Sequence, residues 1–167
     1  MALPPLLERD QKNFEEKLAA LEQKIPSLAF TTPEAKELAR KALTHSSKSA
    51  VHNNQELAKL GETCSRAVLA KALYLSPGKH SSKMYGDQAA ALASKPLSAI
   101  ARELKLDEML RVDKGVPYVS ETMFQGALQA LLGALELSSG NGALLQALKE
   151  LGIAKLPEAP EPEGEGL

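Results

Sequence analysis

Glu62 lies on a strongly helical stretch with no second acid three or four residues away. Two acids share a divalent cation from one helix only at a spacing of three or four residues, which puts both on one face. Glu56 lies six positions before Glu62 and faces away from it on a helix. His45, His52 and His80 fall in polar connecting stretches without metal-ligand spacing, so they read as exposed polar residues. The single Cys64 excludes an intramolecular disulfide and a multi-cysteine zinc site. It sits among apolar helical positions and reads as a buried, inert thiol. No glycine loop for cradling phosphate and no Ser-His-acid constellation can be read. The residues therefore indicate neither a metal centre nor a cofactor.

The elements that must position these residues are helices. The 167 residues are 44% hydrophobic and 25% charged, with 4% aromatics and no Trp. A core must then be built from Leu and Ala, the best helix formers. No apolar run approaches the roughly 20 residues that span a bilayer, so no membrane association is expected. Met1 to Asp10 lack the apolar centre of a secretory signal and the Arg-rich, acid-poor character of a transit peptide. The net charge of −1 conceals a division. Between Lys36 and Lys114, 14 Lys and Arg face 8 Asp and Glu, while both ends are acidic. A basic middle is compatible with a nucleic-acid face, and equally with an ordinary solvated surface.

A helix over residues 8 to 25 is read from Leu7, Phe14, Leu18, Leu21 and Ile25, a narrow apolar stripe that Pro26 stops. The stripe is too short for an independent coiled coil and must pack on the domain or a partner. Thr32-Pro33-Glu34 caps and starts a second helix. A helix from about Gln55 to Leu75 carries Leu57, Leu60, Cys64, Val68, Ala72 and Leu75 as one continuous stripe, ended by Ser76-Pro77-Gly78. Further helices contain Ala89 to Leu92 and Leu97 to Leu104, and a short extended piece is expected around Val116 to Val119. Ser120 caps a helix to about Leu137, and after a turn at Ser138 to Gly142 a last helix carries Leu144 to Leu151. Gly61 and Gly133 read as sites of close helix packing. From Leu156 onward, four Glu, three Pro and two Gly in twelve residues read as disordered. The expectation is one all-α domain of about seven helices over residues 31–152, with an N-terminal amphipathic helix in residues 1–30 and a disordered acidic tail from 153 to 167.

Several blocks, in order, resemble the ribonuclease III endonuclease-domain family. Ala42-Leu43-Thr44-His45-Ser46-Ser47 is similar to the family's opening block, Ala-Leu-Thr-His-x-Ser. Ala58-Lys59-Leu60-Gly61-Glu62 stands where the family's signature helix has Glu-Phe-Leu-Gly-Asp. Ala89 to Leu104, running on to Lys114-Gly115, resembles the family's middle block. Ala127-Leu128-Gln129-Ala130-Leu131-Leu132-Gly133-Ala134 resembles the later helix that begins Asp-x-Phe-Glu. The resemblance covers about residues 34 to 152.

The family's chemistry uses four acids, two per helix, to hold magnesium, which activates water and stabilises the leaving oxygen. The resemblance maps those acids onto Ala58, Glu62, Gly126 and Gln129. Only Glu62 keeps a carboxylate, one methylene longer than the family's aspartate. Gln55 also replaces a frequent acid, and Glu121 is five positions before Gly126. The resemblance thus implies the fold of a nuclease without its catalytic site: no metal, no cofactor, not an enzyme.

The family dimerises through its signature helix and binds double-stranded RNA. By resemblance, Leu57, Leu60 and Cys64 are candidates for a dimer interface. Lys48, Lys79, Lys83 and Lys95 are candidates for contacts to RNA phosphates. Compact members without the acids serve in the mitochondrial large ribosomal subunit, notably in fungi. The expected role is therefore a structural ribosomal protein of the mitochondrion, with ribosomal RNA, other ribosomal proteins and a second ribonuclease III-like chain, or a second copy, as partners. The alternatives are an active organellar or mini-type ribonuclease III and a pseudoenzyme partner of a catalytic one.

Overall fold

The computed structural model describes residues 5–158. Six α-helices make up the described fold: α1 (Pro5–Lys24), α2 (Pro33–Ala42), α3 (Gln55–Leu75), α4 (Ser82–Ala91), α5 (Ser94–Glu103) and α6 (Glu121–Glu150). A 3-10 turn, Leu106–Glu108, follows α5. The described residues form no strand. One isolated parallel bridge joins Thr44 to Arg111.

The helix starts follow the capping chemistry in the sequence. Thr32 Oγ1 accepts from the Ala35 amide at 3.1 Å, and Ser120 Oγ from the Met123 amide at 3.3 Å. Within α6, Gly140 takes φ 85° and ψ −178°, where a residue with a Cβ is strained. The break separates the two helices expected at the C-terminal end, so seven helical segments form the all-α fold. Residues 116–119 pair with no strand. The extended pairing lies earlier, where Arg111 N donates to Leu43 O and His45 N to Arg111 O.

Helix α6 is the centre of the domain and packs on α2, α3 and α5. Its residues Ala127 through Leu135 are all buried, because this stretch is apolar or small at every position but Gln129. Phe14, Leu18 and Leu21 of α1 join the same core, as does Ile25 just beyond it. Lys17 Nζ also donates to the Glu108 carbonyl at 2.6 Å, and the Arg40 guanidinium lies over the Phe14 ring at 5.2 Å. The amphipathic N-terminal helix is thus docked on its own domain.

Two boundaries move. The α3 stripe facing the core is Leu57, Gly61, Ser65, Val68, Leu69 and Leu73, not the expected run through Leu60, Cys64, Ala72 and Leu75. Leu75 is 69% exposed. The packed domain also extends past 152: Ile153 is buried, and its amide donates to Leu148 O at 2.9 Å. The acidic stretch 159–167 lies outside the described residues. Among those described, no helix is long and apolar enough to cross a membrane.

Candidate functional site

Backbone meets backbone where α3 crosses α6, at two facing glycines. A Cβ on Gly61 would overlap the Gln129 carbonyl oxygen and come 2.8 Å from Gly133 N. A Cβ on Gly133 would overlap Leu57 O and come 3.0 Å from Gly61 N. Both neighbours are backbone, so no side-chain rotation makes room. The glycines expected to mark close packing do so against each other.

This crossing brings together the two helices that carry the mapped acid positions. On α6, Gly126, Gln129, Gly133 and Glu136 recur at spacings of three, four and three, one stripe of the helix. Gln129 is buried, and its carbonyl lies against Gly61, next to Glu62. Ala58, one turn before Glu62, packs against the core. A Cβ on Gly126 would meet no atom within 4 Å, so space for a side chain exists there.

Glu62 is the one carboxylate among the four positions, and it already has a partner. Arg66 Nη2 donates to Glu62 Oε1 at 3.5 Å, with both side chains about half exposed (54% and 45%). Such an exposed i,i+4 pair contributes roughly 0.3–0.5 kcal/mol. Its significance is local neutralisation of the lone acid. Arg66 is not among the expected site residues, although its i,i+4 spacing from Glu62 is a legible signal. Magnesium needs several hard oxygen ligands in near-octahedral geometry. A methyl group, a glycine, a neutral amide and one paired carboxylate do not fit it. Among the described residues, no group of three or more His, Cys, Asp or Glu side chains could hold a metal ion. His45 Nδ1 pairs instead with Ser47 Oγ at 2.8 Å, and His80 Nε2 with Ser76 Oγ at 3.0 Å.

The three dimer candidates separate. Leu57 is buried inside the chain, its carbonyl against Gly133, and so cannot form an intersubunit surface. The register of α3 explains the correction, because the turn containing Leu57 and Gly61 meets α6. Leu60 and Cys64 are half-buried and begin a flanking stripe through Ala67, Lys71 and Tyr74, the last 75% exposed. Burial and the Glu136 carboxylate both push the Cys64 thiol up from its ordinary value, leaving less nucleophilic thiolate at neutral pH. Cys64 is therefore expected to react with a disulfide reagent several-fold more slowly in the folded chain than in urea, and Glu136→Gln to quicken it. Equal folded and unfolded rates would overturn that assignment.

The lysine candidates sit on four different segments of the fold. Lys83 Nζ is bound to Asp87 Oδ2 at 2.8 Å, and that hydrogen bond holds its pKa above the usual lysine value. Lys79 is exposed in the connection from α3 to α4, and Lys95 is exposed in the first turn of α5. Lys48, in the loop before α3, lines a cavity with Arg40 and Arg111 instead.

An all-helical domain built on a glycine-to-glycine crossing, with four mapped positions flanking it, has the architecture of a ribonuclease III nuclease domain. Residues 35–155 match the family model described as ribonuclease-III-like, and the chain belongs to that family. The nuclease domain of ribonuclease III from Campylobacter jejuni superposes with a TM-score of 0.67 at 27% identity, covering 80% of this chain and 95% of that one. That structure is described for flexibility in a region involved in dimer formation. A second structure of the same domain gives a TM-score of 0.64 at 28% identity. Ribonuclease 3 of Ralstonia pickettii is 31% identical over 146 residues, 84% of this chain and 55% of its own length. Ribonuclease 3 of Buchnera aphidicola from Acyrthosiphon pisum is 32% identical over 122 residues, 70% of this chain and 52% of its own. The chain thus spans about half the length of the curated relatives it matches.

Proposed function

We propose that this chain is a non-catalytic ribonuclease III-fold protein that binds structured RNA and pairs with a second ribonuclease III-like chain. One observation carries the reading. Of the four positions that would hold magnesium, only Glu62 bears a carboxylate, and that carboxylate is paired with Arg66. The helix crossing that frames the site is kept, while three of the four ligands, one on α3 and both on α6, are gone. Helix α3 retains a flanking stripe of Leu60, Cys64, Ala67 and exposed Tyr74, which suits a role in pairing. The dimer-forming region named for the Campylobacter domain supports this part of the reading.

The finer proposal is a structural subunit of the mitochondrial large ribosomal particle, in contact with ribosomal RNA and other ribosomal proteins. It rests on the resemblance to compact family members that lack the acids. A tagged chain is expected to sediment with large-subunit particles and to remain there at moderate salt. Its absence from those particles at low salt would sink the proposal. The bacterial ribonuclease 3 relatives favour a second reading, an active organellar or mini-type ribonuclease III. That reading requires magnesium-dependent cleavage of double-stranded RNA. Co-purification of a single catalytic ribonuclease III, without ribosomal proteins, would point instead to a pseudoenzyme partner.

A further inference from the structure

Two adjoining openings between α1, α2 and the Thr44–Arg111 bridge share a pair of guanidinium groups, Arg40 and Arg111. The first, a cavity of about 350 Å³, is also lined by Lys17 and Lys48. The second, about 790 Å³, is also lined by Lys41 and His52. These residues are far apart in sequence, and the fold assembles them. The Leu43–Arg111 and Arg111–His45 backbone hydrogen bonds fix Arg111 beside the end of α2, where Arg40 and Lys41 sit. Arg40 is held in place by the Phe14 ring and by one donor to Gln11 Oε1 at 2.9 Å. Its other N–H donors remain for the cavities it lines.

Among the described residues, none of these cations has a carboxylate within 4.0 Å, whereas Lys36, Arg66 and Lys83 do. Asp10 and Glu108 open on the first cavity, and Glu34 and Glu37 on the second. These acids keep the local field modest, so affinity here must come from direct contacts. A planar guanidinium grips a phosphate through paired hydrogen bonds, more directionally than an ammonium. Two arginines shared between side-by-side openings suit successive phosphates of a strand better than one small anion.

We propose that the Arg40–Arg111 cleft binds the sugar-phosphate backbone of RNA and is this chain's principal RNA contact, ahead of Lys79, Lys83 and Lys95. This rests on the reading of the chain as RNA-binding. The test is fluorescence anisotropy of the full chain with a labelled RNA duplex across a potassium chloride series. Arg40→Gln with Arg111→Gln is expected to weaken binding about ten-fold or more and to reduce the salt slope by about 2, roughly 1 for each phosphate left without its arginine. Lys83→Gln, which removes an ammonium already held by Asp87, should stay within about two-fold of the parent. Arg40 also packs on Phe14, so Arg111→Gln with Lys48→Gln is measured in parallel. Both of those side chains are exposed, and the pair should lose affinity without lowering the melting temperature. Parent-like affinity and slope in both double variants would overturn the cleft while leaving the RNA reading in place. Failure of the parent chain itself to bind the duplex would remove both.

Discussion

Gly61→Ala is expected to be among the most destabilising substitutions in the chain, and Gly133→Ala to match it. Either added methyl would meet backbone of the opposite helix, Gln129 O in one case and Leu57 O in the other. Overpacking a core typically costs about 1–3 kcal/mol even when side chains can shift. Backbone cannot rotate away, so α3 and α6 must separate along the most extensive contact in the domain. Separation weakens dispersion attraction along the whole interface. We expect at least about 3 kcal/mol of lost stability, which lowers the melting temperature by roughly 6–12 °C at this chain size. Gly126→Ala makes the opposite prediction on the same helix. Its Cβ meets nothing within 4 Å, and alanine is about 1 kcal/mol better than glycine in a helix interior. Circular-dichroism melts of the three variants check both signs. A Gly61→Ala protein melting within about 2 °C of the parent, well short of the shift that such overpacking implies, would falsify the crossing.

That crossing is legible in the sequence because a glycine inside an otherwise good helix needs a packing reason. The register of α3 is not. Gly61 and Ser65 carry little weight in a hydrophobic pattern, so the pattern runs through the larger Leu60 and Cys64. At a close crossing the core face belongs to the smallest residues, which admit backbone, and larger apolar side chains move to the flank. The caps at Thr32 and Ser120 are readable because capping is local chemistry. The bridge between Thr44 and Arg111 is not, since its partners are distant in sequence and neither flank alternates like a strand. For that reason nothing in the sequence groups Arg40, Lys41 and Arg111, while Lys79, Lys83 and Lys95 stand out only by lying in the basic middle. The burial of Ile153 is masked by the Pro- and Glu-rich composition that begins at Leu156. The mapped acid positions follow from motif order, and the fold brings their two helices into contact at Gly61 and Gly133.

Restoring the four acids is expected to give this chain a magnesium response, and the parent is expected to show none. The variant combines Ala58→Glu, Glu62→Asp, Gly126→Asp and Gln129→Glu. The frame can receive them: Gly126 faces open space, Ala58 and Glu62 are only half-buried, and Gln129→Glu changes little volume. Charge is the difficulty. Position 129 is buried, and a carboxylate there is costly unless it is compensated. Four acids across one crossing also repel, so the metal-free variant should melt below the parent. Magnesium binding only the folded form would recover about 2.7 kcal/mol at a hundred-fold excess over its Kd, or roughly 5–11 °C. The parent, with one carboxylate already paired to Arg66, should melt at the same temperature with and without magnesium. Cleavage of a labelled RNA duplex gives the second readout. The parent and Glu62→Ala should both match the buffer rate, because Glu62 alone has no catalytic partner to lose. If the restored variant gains cleavage, the gain should be about a thousand-fold or more, the scale on which preorganised charge stabilisation acts. A parent that cleaves the duplex in magnesium, and loses that activity on Glu62→Ala, would overturn the non-catalytic reading and leave Glu62 as a working ligand.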